Sequence, residues 1–162
     1  MNDIALAAGV TKPVLYQHFD SKHDLFLELL TTTASELSAA IETAVDAAST
    51  GREKIENAFA AAVHFFGDTP ANFRVFYGEG VRTQPEFAEA HRGLIESIHQ
   101  FIADHIDIES LDRDHRMIAA TAVAGQLEAG IGHWIDGGRE QTADDVAELL
   151  ASLAWRGLRG TN

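Results

Sequence analysis

Between Asn2 and Leu30 the chain reads NDIALAAGVTKPVLYQHFDSKHDLFLELL, and little besides a helix-turn-helix can be built from it. Ile4 and Ala8 stand at helical spacing with Ala5 filling a close contact, and Gly9 supplies the positive φ that ends such a helix. The turn is then Gly9-Val10. Thr11 can cap a second helix with its hydroxyl, and Pro13 fits its first turn, where backbone N–H groups have no intrahelical partner. Leu15 and Phe19 lie an i,i+4 step apart with Val14 and His18 beside them, which predicts a buried face. The opposite face carries Lys12, Pro13, Tyr16 and Gln17: a cation, an apolar wedge, a phenol and an amide able to bond adenine in two places. Asp20-Ser21 breaks the chain. Ser21 with Asp24 forms a variant capping box for a longer helix, leaving Lys22 at its N-terminus, where a DNA backbone would run.

The run A-x-x-A-G-V-T-K-P-V-L-Y-Q-H-F-x-S-K-x-x-L resembles the DNA-binding signature of the TetR family of bacterial transcriptional regulators, over roughly Asp3 to Leu30. The resemblance implies that Thr11, Lys12, Pro13, Tyr16, Gln17, His18 and Lys22 contact DNA. It also implies an all-α fold, with a helix-turn-helix head joined by a long helix to a helical ligand-binding and dimerisation domain. Residues 1–45 are expected to form the head with its connecting helix, and residues 46–162 the body. In the family another helix precedes this segment, whereas Met1 stands only a residue or so before the motif. The head is therefore expected to be incomplete as written. Met1 is read as an internal start of a longer protein, the alternative being a truncated head that binds DNA poorly.

Charge works against general affinity for nucleic acid. The formal net charge is -13, and even in the opening stretch Asp3, Asp20, Asp24 and Glu28 outnumber Lys12 and Lys22, so DNA contact must come from a local surface. With 162 residues, 46% of them hydrophobic, the chain can bury a sizeable core. The absence of cysteine excludes disulfides and thiolate chemistry. Its apolar runs are broken well before membrane-spanning length and no signal peptide is visible, so a cytoplasmic protein without membrane partners is expected.

Beyond the head the pattern is helical throughout. A first helix runs from Lys22 to about Ala48, crossing Thr31-Thr32-Thr33, whose hydroxyls can bond back to the preceding turn. Thr50-Gly51-Arg52-Glu53 is a capping box for a helix with Ile55, Phe59, Ala62, Val63 and Phe66 on its inner face. Gly67-Asp68 ends it, and Thr69-Pro70 starts a short helix carrying Phe73, Phe76 and Tyr77. This concentration of aromatics is compatible with plain core packing and with the lining of a ligand cavity. Pro85 opens a helix reaching about Ile106, with His91 and His105 on its apolar stripe and Glu96 three residues before His99. A single E-x-x-H is too common to define a metal site, and no metal or cofactor is expected.

From about Asp112 to Ile135 a helix carries Ile118, Thr121, Leu127, Ile131 and Trp134 together with many small residues, among them Gly125, Gly130 and Gly132. Glycine inside a helix costs roughly 1 kcal/mol relative to alanine, which predicts close approach by another backbone. Thr142 with Asp145 caps the last helix, on which Val146, Leu149, Leu150, Leu153, Ala154 and Leu158 recur. These last two helices are expected to pair with their copies in a homodimer, with Leu127 and Leu150 as candidate contacts; packing within one subunit is the alternative.

No nucleophile constellation or phosphate loop emerges, so the chain is not expected to be an enzyme. The function implied is a ligand-responsive regulator, a repressor released from double-stranded operator DNA by a small hydrophobic effector. In a two-fold dimer the two heads would enter major grooves about 34–36 Å apart. The expected effector pocket is bounded by Phe59, Val63, Phe66, Phe73, Tyr77, His91, Ile95 and Gln126, with Tyr77, His91 and Gln126 fixing orientation. Two alternatives are a helical binding protein without DNA binding and a helical enzyme using His91 or His133.

Overall fold

A computed structural model describes residues 1–83, 85–106, 108 and 110–160. Among them the chain forms helices and no strand. The first three are α1 (Asn2–Ala7), α2 (Lys12–His18) and α3 (Lys22–Asp46). Next come α4 (Gly51–Asp68), α5 (Pro70–Tyr77) and α6 (Glu79–Thr83), and then α7 (Pro85–His105), α8 (Arg113–Asp136) and α9 (Ala143–Arg159). Only α6 was not anticipated from the sequence, because five residues are too few to show a period.

The punctuation follows the side-chain chemistry. Gly9 adopts φ 67° and turns α1 into α2. Ser21 accepts from the Asp24 N–H at 3.0 Å, while the Asp24 carboxylate reaches past the cap to the Asp20 N–H at 3.2 Å. Complete capping boxes open α4, between Thr50 and Glu53, and α9, between Thr142 and Asp145. Thr11 departs from the expectation: it is the N-cap of α2 in position, with extended backbone, but its hydroxyl makes no capping bond. Pro13 lacks one of the N–H groups such a cap would serve.

The head buries one side chain from each of its helices, Ala5, Leu15 and Leu25. Val14 and His18, expected beside Leu15 on a covered face, are exposed, because α2 turns only Leu15 fully inward and Phe19 is half-buried. Leu6, Val10 and Leu29 are also exposed.

The main core lies in the body and takes in α3 from Leu30 onward. Leu30, Ala34 and Leu37 share it with Phe59, Val63 and Phe66 of α4, Phe76 of α5, Ile131 and Trp134 of α8, and Leu150 of α9. Each large apolar side chain fully buried here is worth roughly 1.5–3 kcal/mol. α3 runs unbroken through the three threonines, with Thr33 buried. A single rigid rod thus starts under the head and ends inside the body.

α4 is sandwiched between α3 and α9. It runs antiparallel to α9: His64 Nε2 meets Asp144 Oδ1 at 2.8 Å near one end, and Gly51 faces Trp155 at the other. The glycines of α8 are close to side chains rather than to another backbone. A Cβ on Gly130 would stand 2.7 Å from Leu150, and one on Gly132 would stand 3.1 Å from Phe73, while Gly125 faces open space. Ile118, counted on the inner stripe of α8, is exposed. α8 has small residues on every side, so its sequence does not mark one inner face.

Candidate functional site

All seven head residues expected to meet DNA are exposed. On α2, Lys12 and Tyr16 are one turn apart, with the Lys12 ammonium 5.8 Å from the phenol ring centre. Pro13 and Gln17 form the neighbouring i,i+4 pair. Thr11 stands at the start of α2, His18 at its end, and Lys22 opens α3. The arrangement offers a cation and an amide from one short, solvent-facing helix and a second cation from the start of the next, groups suited to a major groove and its flanking phosphates.

The second feature lies in the body. A cavity of about 1090 Å³ runs between α3, α4, α7 and α8, with the end of α9 closing one side. Its walls are mostly aliphatic: Leu37, Ile41 and Val45 come from α3, Ile98 and Ile102 from α7, and Val123, Leu127 and Ile131 from α8. Along α4, Lys54, Ala58, Ala62 and Phe66 recur at every fourth position, so one ridge of that helix forms a wall. The void exists because Ala34, Ser38, Ala58 and Ala62 are too short to fill the space between α3 and α4.

Three of the eight residues expected around the pocket, Phe59, Phe66 and Tyr77, line this cavity. The other five lie off its wall. Val63 is fully buried in solid core, and Phe73 stacks edge-on against Phe66 at 5.3 Å. His91 is buried against Phe76, with ring centres 5.8 Å apart, and Ile95 packs on the main core. Gln126 donates from Nε2 to the Leu150 carbonyl at 2.7 Å and so ties α8 to α9. Of the three groups expected to orient an effector, only Tyr77 reaches the cavity.

The histidines do not converge. His99 lies 3.3 Å from the Thr121 hydroxyl, and burial holds its pKa below the ordinary value of 6.5 against the opposing pull of Glu128 and Glu96. His105 donates from Nδ1 to the Phe101 carbonyl at 2.8 Å and stands at the cavity edge. His133 is exposed.

On the last two helices Leu149 is 61% and Leu153 55% exposed, and Ile118 of α8 is exposed as well. Leu150, by contrast, is buried against Gly130, and Leu127 lines the cavity. Both residues named as candidate dimer contacts therefore face the interior of their own subunit.

A helix-turn-helix head carried on the end of a long helix, above a helical body with an apolar cavity, defines the class of helix-turn-helix transcriptional regulators. Comparison narrows that class. Residues 1–29 match the model of the bacterial regulatory proteins of the tetR family. Over 160 residues the chain is 30% identical to the HTH-type transcriptional activator FasR of Mycolicibacterium smegmatis, spanning 98% of this chain and 73% of that protein. The chain belongs to the TetR family of transcriptional regulators, which are not enzymes.

Solved structures agree on the fold. A TetR-like transcriptional regulator from Rhodococcus sp. RHA1 superposes with a TM-score of 0.78 at 28% identity, over 97% of this chain and 82% of that one. The transcriptional regulator FadR from Bacillus subtilis, solved in complex with stearoyl-CoA, superposes with a TM-score of 0.78 at 14% identity, over 93% and 84% of the two chains. Among the described residues no helix is long and apolar enough to cross a membrane.

Proposed function

We propose that this chain is a ligand-responsive regulator whose affinity for operator DNA is set by an elongated hydrophobic effector held in the body. The observation that carries this reading is the cavity of about 1090 Å³ between α3, α4, α7 and α8, because α3 also bears the head. A ligand that prefers one spacing of the α3 rods over another changes the distance between two heads. It then lowers operator affinity by the difference in its affinity for the two states, commonly ~1–3 kcal/mol.

In this reading residues 1–45 are the DNA-binding part, with Thr11, Lys12, Pro13, Tyr16, Gln17, His18 and Lys22 on DNA, and residues 46–162 bind effector and dimerise. The exposed Leu149 and Leu153 support a homodimer through α8 and α9. The protein acts in the cytoplasm as a repressor that its effector releases. FadR with stearoyl-CoA supports the narrower point that this fold can hold a long acyl chain. The test is fluorescence anisotropy on DNA from upstream of the gene, with and without long-chain acyl compounds. The expected result is at least a tenfold loss of operator affinity at saturating ligand. Saturable ligand binding with unchanged operator affinity would instead make the body a carrier.

A further inference from the structure

We infer that the cavity has a fixed polarity and takes an anionic amphiphile, with the anionic head at Lys54 and Arg159 and the apolar tail running toward Phe66 and Tyr77; this rests on the effector reading above. The ridge Lys54, Ala58, Ala62, Phe66 passes from a cation through two small side chains to an aromatic ring, and all four line the same void. Lys54 is half-buried and has no ion-pair partner among the described residues.

Arg159 brings a second cation to the same end. The end of α9 meets the start of α4 there, with Gly51 facing Trp155, and the Arg159 guanidinium lies 5.6 Å from the Trp155 ring centre. Trp155 and Arg159 both line the cavity. A partly desolvated lysine without a counter-ion is costly, and an anion from the ligand removes that cost.

Of the two carboxylates on the wall, Glu128 stands midway along α8 and acts electrostatically on His99, so it disfavours an anion seated in the middle of the void. Glu42 of α3 lies nearer the Lys54 end, because Asn57 of α4 donates to the Ala44 carbonyl at 2.9 Å, and it sets no direction. The opposite end carries the rings of Phe66 and Tyr77, 5.8 Å apart, and no cation among the described lining residues.

The same ridge sets a length. From Lys54 to Phe66 the helix rises about 18 Å at 1.5 Å per residue. Carbon–carbon bonds of ~1.5 Å zigzag to roughly 1.3 Å of advance each, so an extended tail of about 14 carbons fills that span.

A carboxylate or a phosphorylated carrier such as a coenzyme A thioester would satisfy the two cations, and one titration series separates them. Tetradecanoate, tetradecanoyl-CoA and tetradecan-1-ol are titrated into the whole protein and followed by tryptophan fluorescence. At least one anionic ligand is expected to bind tenfold or more tightly than the alcohol, and which of the two does so names the head group. With circular dichroism reporting an intact fold, Lys54→Met with Arg159→Met is expected to erase that gap. Lys54→Gln alone should narrow it. Equal binding of alcohol and anions by the unmodified protein, or a gap that survives both substitutions, overturns the polarity and leaves the effector cavity standing. Failure of all three compounds to bind overturns the effector reading and this inference with it.

Discussion

Gly67 lies directly beneath the indole of Trp134: a Cβ built on the glycine would stand 2.8 Å from Trp134 Cη2 and 2.9 Å from Cζ3. The ring cannot swing aside cheaply, because it is buried and its Nε1 donates to the Gln141 carbonyl at 3.0 Å. Gly67→Ala therefore overpacks the contact between α4 and α8 by about 1–3 kcal/mol, which outweighs the ~1 kcal/mol gain in helix propensity. Chemical denaturation should show a lower midpoint with an unchanged slope. The contrasting substitution is Gly125→Ala, where nothing lies within 4 Å, and it should stabilise an isolated subunit.

The exposed face of α2 makes a second prediction. Gln17→Ala should relax base preference at one operator position at a cost of ~1–3 kcal/mol, whereas Lys22→Ala should weaken all sequences alike and reduce the salt slope by about one. Binding measured against a panel of single-base operator variants at several salt concentrations separates the two effects. Identical affinity and salt slope in both substituted proteins would remove these residues from the DNA interface.

The position of α9 makes a third. Leu149 and Leu153 point away from the subunit, so a charge at either one is harmless to the fold and costly only in an interface. Leu149→Glu with Leu153→Glu should give a folded monomer by sedimentation and lose tight operator binding. Leu150→Glu should instead lower the melting temperature sharply, because Leu150 is packed over Gly130 inside the subunit. A dimer that survives the double substitution would place the interface elsewhere.

These outcomes also show what could be read before the fold was in view. Most helix boundaries were legible residue by residue, since Gly9, Ser21, Thr50 and Thr142 act through local backbone chemistry that sequence spacing records. The cavity was only partly so. Periodicity marks which face of a helix is apolar, and Val63, Ile95 and Phe59 all satisfy it, yet only Phe59 borders empty space. The missed signal was the reverse one, alanine and serine where a core would use leucine, at Ala34, Ser38, Ala58 and Ala62. Lys54, in line with Phe66 on one ridge, was the further clue to the site. Which of two adjacent leucines, Leu149 or Leu150, faces outward depends on the roll of α9, and that is fixed by tertiary contact with Gly130.

The fourth prediction concerns pH. His99 sits between α7 and α8 beside Thr121, and burial lowers its pKa below 6.5, more strongly than Glu128 and Glu96 raise it. Between its folded pKa and 6.5 the unfolded chain binds more protons at this site than the folded one, so stability must increase with pH there. The contribution is complete above 6.5 and is lost as pH falls through the folded value. The melting temperature should accordingly drop on acidification from about pH 7.5 to about pH 5.5, and His99→Gln should flatten that drop. Glu128→Gln removes a carboxylate that holds the proton on His99, and it should steepen the drop relative to the unmodified protein. Parallel melting curves for the unmodified and His99→Gln proteins across this range would show that His99 is protonated equally in the folded and unfolded chains.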